Sequence, residues 1–150
     1  MIRDKNIVLG VTGGIAAYKA LDLVSSLTKL GANVDVIMTK SAAEFVAPLS
    51  FMSLSHNMVS VDMFSEPRTW DIRHISLAKK ADLFAIVPAT ADIIGKIAGG
   101  IADDMLSTTV MATKAPVVIA PAMNTAMYDS SIRRRDASRA VTPGRGSWPA

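Results

Sequence analysis

Along the first 128 residues, short apolar runs alternate with longer stretches in which apolar positions recur every three or four residues. That alternation predicts strand and helix in turn. Ile7 to Thr12 is a β-rich run followed by glycines. Ala17, Leu21, Val24 and Leu27 then fall on one helical face, and Gly31 stops that helix. Val34 to Thr39 reads as a second strand, Ser41 as an N-cap, and Ala42 to about Phe51 as a second helix that Pro48 kinks or ends. Leu83 to Val87 is a continuous apolar strand closed by Pro88. Residues 91–98 and 104–113 read as helices, and Val117 to Ala120 as a strand introduced by Pro116. Continuous apolar strands separated by helices are what a parallel sheet covered on both faces requires. The predicted class is α/β, a Rossmann-like three-layer α/β/α sandwich with a mostly parallel sheet.

Composition narrows the function classes. A chain of 150 residues and 15.9 kDa suits one domain. With 50% hydrophobic and 19% charged residues its balance is globular, which argues against a disordered or collagenous chain. No apolar run approaches the ~18 residues of a membrane helix, and Asp4 stands where a cleavable signal wants only positive charge. The expected location is the cytoplasm. The chain has no cysteine, which removes disulfides, cysteine-ligated zinc and a thiol nucleophile.

The net charge of +3 is unevenly placed. Residues 1–129 hold 11 Lys and Arg against 12 Asp and Glu, whereas residues 130–150 hold five Arg against Asp136 alone. A near-neutral body gives no electrostatic case for nucleic acid. After Asp129 the only substantial apolar side chains are Ile132, Val141 and Trp148, and the run Thr142-Pro143-Gly144-Arg145-Gly146-Ser147 is loop chemistry. The expected division is a folded domain over 1–129 and a basic, poorly ordered or truncated tail over 130–150, where a doubly wound fold would normally continue.

In an open parallel sheet, ligands settle outside the carboxyl ends of the strands. Gly10-Val11-Thr12-Gly13-Gly14-Ile15 is such a place: glycines let backbone N–H groups approach an anion, with the positive end of a helix behind them. The spacing is neither Gly-x-Gly-x-x-Gly nor a P-loop, and Asp35 comes four residues too early to be a ribose-binding acid. A purely structural glycine turn is the alternative. Thr39-Lys40-Ser41, Pro88-Ala89-Thr90-Ala91-Asp92 and Pro121-Ala122-Met123-Asn124 also place small or hydroxyl residues just past apolar strands, which suits a flat polar cofactor. Thr90 taken alone reads as an N-cap. The Asn124 amide, flanked by Pro121, Met123 and Met127, calls for a partner in an apolar segment. Met123 and Met127 by themselves read as core packing.

His74 begins a helix, whose dipole favours a neutral imidazole able to accept a proton, although a structural histidine has the same signature. His56 reads as a surface loop residue. Asp103-Asp104 fits helix N-capping better than a metal site, since adjacent carboxylates diverge and no third ligand is near. No metal is expected.

Five segments taken in order form a specific set: Gly13-Gly14-Ile15-Ala16-Ala17-Tyr18-Lys19, His74-Ile75-Ser76-Leu77-Ala78, Pro88-Ala89-Thr90-Ala91, Gly100-Ile101-Ala102-Asp103-Asp104 and Pro121-Ala122-Met123-Asn124-Thr125-Ala126-Met127-Tyr128. The set resembles the homo-oligomeric flavin-containing cysteine decarboxylases, and among them the phosphopantothenoylcysteine decarboxylases of coenzyme A biosynthesis. The resemblance spans about residues 5 to 128. It implies FMN, with the phosphate at Gly13, Gly14 and Ile15, further contacts from Thr39 and Ser41, and the Ala89, Thr90 and Ala91 turn beside the flavin. It implies His74 as the active-site histidine, Asn124 as the group binding the substrate carboxylate, and Met127 and Ala122 beside it. It also implies a homotrimer or homododecamer with flavin between subunits, acting on a small molecule.

The chain departs from that pattern in three ways. Tyr128 stands where Trp is common, Asp92 where Asn is usual, and no cysteine follows to serve as the flap thiol of the final reduction. The resemblance therefore implies the oxidative half of the reaction and leaves the reductive half without its usual thiol. A peptidyl-cysteine decarboxylase of lantibiotic type, which stops at the enethiol, is one alternative. A flavin-binding regulatory subunit without turnover is the other.

Overall fold

The computed structural model describes residues 1–64 and 72–130. The predicted tail, apart from Ser130, lies outside the described residues. Four strands, β1 (Asn6–Val11), β2 (Asn33–Met38), β3 (Leu83–Ala89) and β4 (Val117–Pro121), form one sheet in the order β2-β1-β3-β4. Every neighbouring pair is parallel, with Leu9 opposite both Val36 and Ala85. All residues of β1 and β2 after the first are buried, as a parallel sheet covered on both faces requires, the one charge among them being Asp35. The chain lays β2 on one side of β1 and β3 on the other. That reversal opens a crevice at their carboxyl ends.

A 3-10 turn (Ile15–Tyr18) leads into α1 (Lys19–Lys29), followed by α2 (Lys40–Phe45), α3 (Pro48–Ser55), α4 (Arg73–Lys80), α5 (Ala91–Gly99), α6 (Met105–Ala112) and α7 (Thr125–Asp129). One sheet face, carrying Leu9, Val11, Val36 and Met38, packs against Ala20 and Val24 of α1 and Phe51 of α3. The other, carrying Val8, Ile37, Phe84 and Ile86, packs against Leu77 of α4, Ile93 of α5 and Leu106 of α6. Each large side chain fully buried this way contributes about 1.5–3 kcal/mol. The three-layer class is the predicted one, and the described sheet is wholly parallel.

Three local readings change. The second helix is two helices: Val46 and Ala47 are extended, and Pro48 starts α3 at a position where its missing N–H costs nothing. Thr39, not Ser41, caps α2, its Oγ1 accepting from the Ala42 N–H at 3.1 Å. Ser41 instead lies exposed in the first turn. β3 also continues through Pro88 to Ala89.

Polar staples hold α4 over the β2 edge. Lys80 Nζ lies 2.7 Å from the carboxylate of buried Asp35, so that acid serves the fold. At the other end, Arg73 donates to Ser60 Oγ and, at 2.9 Å, to the Met58 carbonyl. Ser60 itself extends the sheet through a parallel bridge to Ile37.

Candidate functional site

A cleft of about 410 Å³ opens where β1, β2 and β3 end, a volume in the small-molecule range. One wall is made of strand-end turns: Thr12 and Gly13 after β1, Thr39 and Ser41 after β2, and Thr90 after β3. Thr39 and Thr90 cap α2 and α5, accepting from Ala42 N–H at 3.1 Å and Ile93 N–H at 3.5 Å. A capping hydroxyl accepts from the helix and keeps its own proton for a ligand oxygen. The caps are therefore a donor set as well.

Gly13 is demanded by close approach. A Cβ there would lie 2.4 Å from Ser41 Cβ and 2.8 Å from the Ser41 carbonyl carbon, so only glycine lets the β1 and β2 turns touch. Gly14 is different: a Cβ would meet only Thr90 Cγ2, at 3.9 Å. The two neighbours have separate jobs, packing at Gly13 and open space at Gly14.

The facing wall is charged. Lys96 Nζ sits 3.1 Å from Asp103, 3.4 Å from Asp92 and 3.7 Å from Asp104. Burial works against its ammonium, but hydrogen bonding and attraction from these carboxylates outweigh it and raise its pKa above the ordinary lysine value. Asp104 caps α6 through the Ser107 N–H at 2.7 Å, while Ser107 Oγ accepts from Asp104 N–H at 3.2 Å. Asp103-Asp104 is thus a helix start, as its sequence suggests. At the rim, Asp62 accepts from the Phe64 N–H at 2.9 Å and lies 3.4 Å from Lys40. The Phe64 N–H, opposed by slight desolvation and aided by Lys40, holds the Asp62 carboxyl below its ordinary range.

Of the predicted site residues, Gly13, Thr39, Ser41 and Thr90 come together in this cleft. Gly14 adjoins it, facing Thr90. Ile15 points outward, 84% exposed. The Ala89 side chain is fully buried in the core, and its carbonyl accepts from the Ala122 N–H at 3.0 Å, while half-buried Ala91 opens α5. His74, half-buried, is the second residue of α4. Neither it nor Ala122, Asn124 or Met127 lines the cleft.

Among the described residues the apolar surroundings expected for Asn124 and Met127 are not found. α7 has no buried residue, Met127 is 50% exposed, and the Asn124 Oδ1 accepts from Ala126 N–H at 2.9 Å as the helix cap. The physical reason is position: the segment leaves the edge strand β4 and runs over the surface. Met123 alone of the pair packs on the core.

Sequence reasoning passed over Thr12 as a residue in its own right, and Lys40, Lys96 and the Asp62–Phe64 rim. Lys96 carries a local signal, four residues after Asp92 on one helix. The rim carries none, because tertiary contacts such as the Ser60 to Ile37 bridge bring it to the strand ends.

The family pattern described as Flavoprotein matches residues 1–142. The chain is 54% identical over 138 residues to the coenzyme A biosynthesis bifunctional protein CoaBC of Bacillus subtilis (strain 168), covering 92% of this chain and 34% of that protein. It thus spans about a third of the length of the curated relatives it matches. Among solved structures, the FMN-dependent cysteine decarboxylase SpaF superposes with a TM-score of 0.85 at 29% identity, covering 93% of this chain and 80% of that one. A cysteine-to-serine variant of PPC decarboxylase, complexed with pantothenoylaminoethenethiol, gives a TM-score of 0.79 at 31% identity, covering 91% and 77%. With the pattern spanning nearly all its residues and the fold shared with these enzymes, the chain belongs to the flavoprotein family.

Proposed function

We propose that residues 1–129 form an FMN-dependent decarboxylase acting on 4′-phosphopantothenoylcysteine, the decarboxylase portion of a coenzyme A biosynthesis protein. The observation that carries this reading is the 54% identity to the Bacillus bifunctional protein over 92% of the chain. The cleft fits the cofactor chemically: hydroxyl donors and a glycine turn suit a phosphate and a polyol chain, and the strand-end position suits a nucleotide-like ligand.

In this reading the backbone of Gly13, Gly14 and Ile15 holds the FMN phosphate, which would share the Gly14 N–H with the Thr12 carbonyl at 3.1 Å; Thr39 and Ser41 give further contacts, and the Ala89, Thr90 and Ala91 turn lies along the flavin. Since the Ala89 side chain is in the core, only its backbone is available. Bound FMN would supply oxidation of the substrate CH₂–SH to a thioaldehyde, the electron sink that lets an α-carboxylate leave as CO₂. His74 holds or accepts a proton at its imidazole. The Asn124 Oδ1 is engaged with its own helix, which leaves the Nδ2 donors to orient the carboxylate, beside Met127 and Ala122. No residue of this chain is assigned to the return of electrons, since none of the 150 is a cysteine.

The same geometry supports a homo-oligomer, trimer or dodecamer, with flavin at the interface. The cleft of one chain lacks His74 and Asn124, while Ile15, Tyr18, Val118, Met127 and Tyr128 present apolar surface to solvent. No helix among the described residues is long and apolar enough to cross a membrane, and the proposed setting is the cytoplasm, with a small-molecule substrate and no nucleic acid.

The test is a visible spectrum of purified protein before and after adding substrate without oxygen, with CO₂ and product followed by mass spectrometry. Yellow protein that bleaches and releases CO₂ is expected. A second reading, decarboxylation of a peptide's C-terminal cysteine, is favoured by the likeness to the FMN-dependent cysteine decarboxylase SpaF at a TM-score of 0.85. Loss of CO₂ from a cysteine peptide but not from the phosphorylated pantothenoyl substrate would establish it, and FMN that binds but is never reduced would establish a non-catalytic subunit.

A further inference from the structure

The regular ladder between β1 and β3 runs only to the Gly10 and Ile86 pair, two residues short of the cleft. Beyond it the two chains are joined by Thr12. Its side chain is almost wholly buried, yet its Oγ1 donates to the Pro88 carbonyl at 2.5 Å and accepts from the Thr90 N–H at 3.0 Å. Its own N–H reaches the same Pro88 carbonyl at 3.3 Å, and its carbonyl accepts from the Gly14 N–H at 3.1 Å. A threonine hydroxyl has one proton to give. That proton is committed to Pro88, so Thr12 lines the cleft without a donor to offer a ligand oxygen.

We infer that Thr12 is a positioning residue: its hydroxyl sets the spacing between the Gly13-Gly14 turn and the Thr90 turn, and flavin affinity depends on it without direct contact. This rests on the flavin reading above. The hydroxyl reinforces the backbone bond from the Thr12 N–H to the Pro88 carbonyl, and it satisfies the N–H of the residue that caps α5. Removing it leaves that amide unpaired in a part-buried place, where the cost is of the kind that makes turns shift.

The experiment is fluorescence titration of FMN into wild-type, Thr12→Val, Thr12→Ala and Thr12→Ser protein, at a temperature where melting curves show each one folded. Thr12→Val keeps the shape and loses both hydrogen bonds; it should weaken FMN binding roughly ten- to a hundredfold. Thr12→Ser should restore binding to within about threefold, since rescue follows the hydroxyl and not the methyl. A folded Thr12→Val that binds FMN like wild type overturns the inference alone. Should Thr12→Val fail to fold, equal weakening by Thr12→Ser and Thr12→Ala overturns it, and weakening by Thr12→Ala only supports it. Folded wild type that takes up no FMN overturns the flavin reading, and this inference with it.

Discussion

At the carboxyl ends of β1 and β3 the polar groups are bonded to one another: Thr12 to Pro88 and Thr90, Thr90 to α5, Gly13 pressed against Ser41. At α4 and α7 the candidate reacting groups lie outside that cleft, His74 half-buried and Asn124 exposed, the amide oxygen engaged by the α7 cap. The first region is pre-organised within a single chain. In the proposed homo-oligomer the second would be presented to a neighbouring chain. Binding and reaction are thus separable by mutation, and the reacting half should depend on the proposed assembly more steeply than the bonded turns do.

The largest effect should come from the second region. His74→Gln is expected to lower CO₂ release on the order of 10²- to 10⁴-fold, the usual worth of a positioned acid or base, while the flavin spectrum and melting temperature stay as in wild type. Asn124→Ala should weaken turnover with its main effect on substrate binding. A His74→Gln protein with normal turnover would break the comparison at once. Diluting the proposed homo-oligomer to monomers should abolish turnover, which sedimentation and activity measured on the same samples would show.

Next in size is the packed turn. Gly13→Ala must push a Cβ into Ser41, at 2.4 and 2.8 Å from its atoms, and overpacking of this kind costs about 1–3 kcal/mol. Flavin uptake should fall with it, because the two turns can no longer touch. Gly14→Ala adds a Cβ with 3.9 Å of clearance and should leave the free energy of unfolding within about 0.5 kcal/mol of wild type. Equal damage from both would mean that the turn is generally fragile and not specifically close-packed at Gly13.

This asymmetry also marks how far the sequence could be read. The turns after β1, β2 and β3 were legible because each is local: an apolar run, then glycine or hydroxyl residues that cap the next helix. The break between α2 and α3 was not, since Pro48 forbids a continuous helix without saying whether it ends one or begins another. The environment of Asn124 was misread because apolar neighbours in sequence imply burial only if another layer covers them, and none of the described residues buries α7. The Asp62 rim depends on a bridge between Ser60 and Ile37, a tertiary fact with no local signature.

A smaller effect is expected on the charged wall. Lys96→Met leaves Asp92, Asp103 and Asp104 without their shared cation, and solvent reaches all three, so the cost should be about 1 kcal/mol. Because the folded pKa of Lys96 is raised, its contribution is complete below the ordinary lysine value of 10.5 and is lost as pH rises through the higher folded value. Melting curves of the two proteins should therefore differ at pH 8 and converge in strong alkali. A difference that persists unchanged there would show that Lys96 acts through its packed stem and not its charge.

The smallest effect belongs to Asp62→Asn at the rim. An asparagine Oδ1 can still accept from the Phe64 N–H, so the local turn should survive, while the carboxylate's charge is lost to its partners, the 81% exposed Lys40 among them. Flavin uptake should be nearly unchanged at ordinary salt, where exposed charges are screened. The folded pKa of Asp62 is depressed, so whatever the carboxylate contributes is present above 3.8 and is lost as pH falls through the lower folded value. Wild type and Asp62→Asn should then become alike only in acid, as melting curves from pH 6 downward would show. A large loss of flavin binding in Asp62→Asn at neutral pH would move Asp62 from the rim into the bonded region, and the line between the two regions would have to be drawn further out.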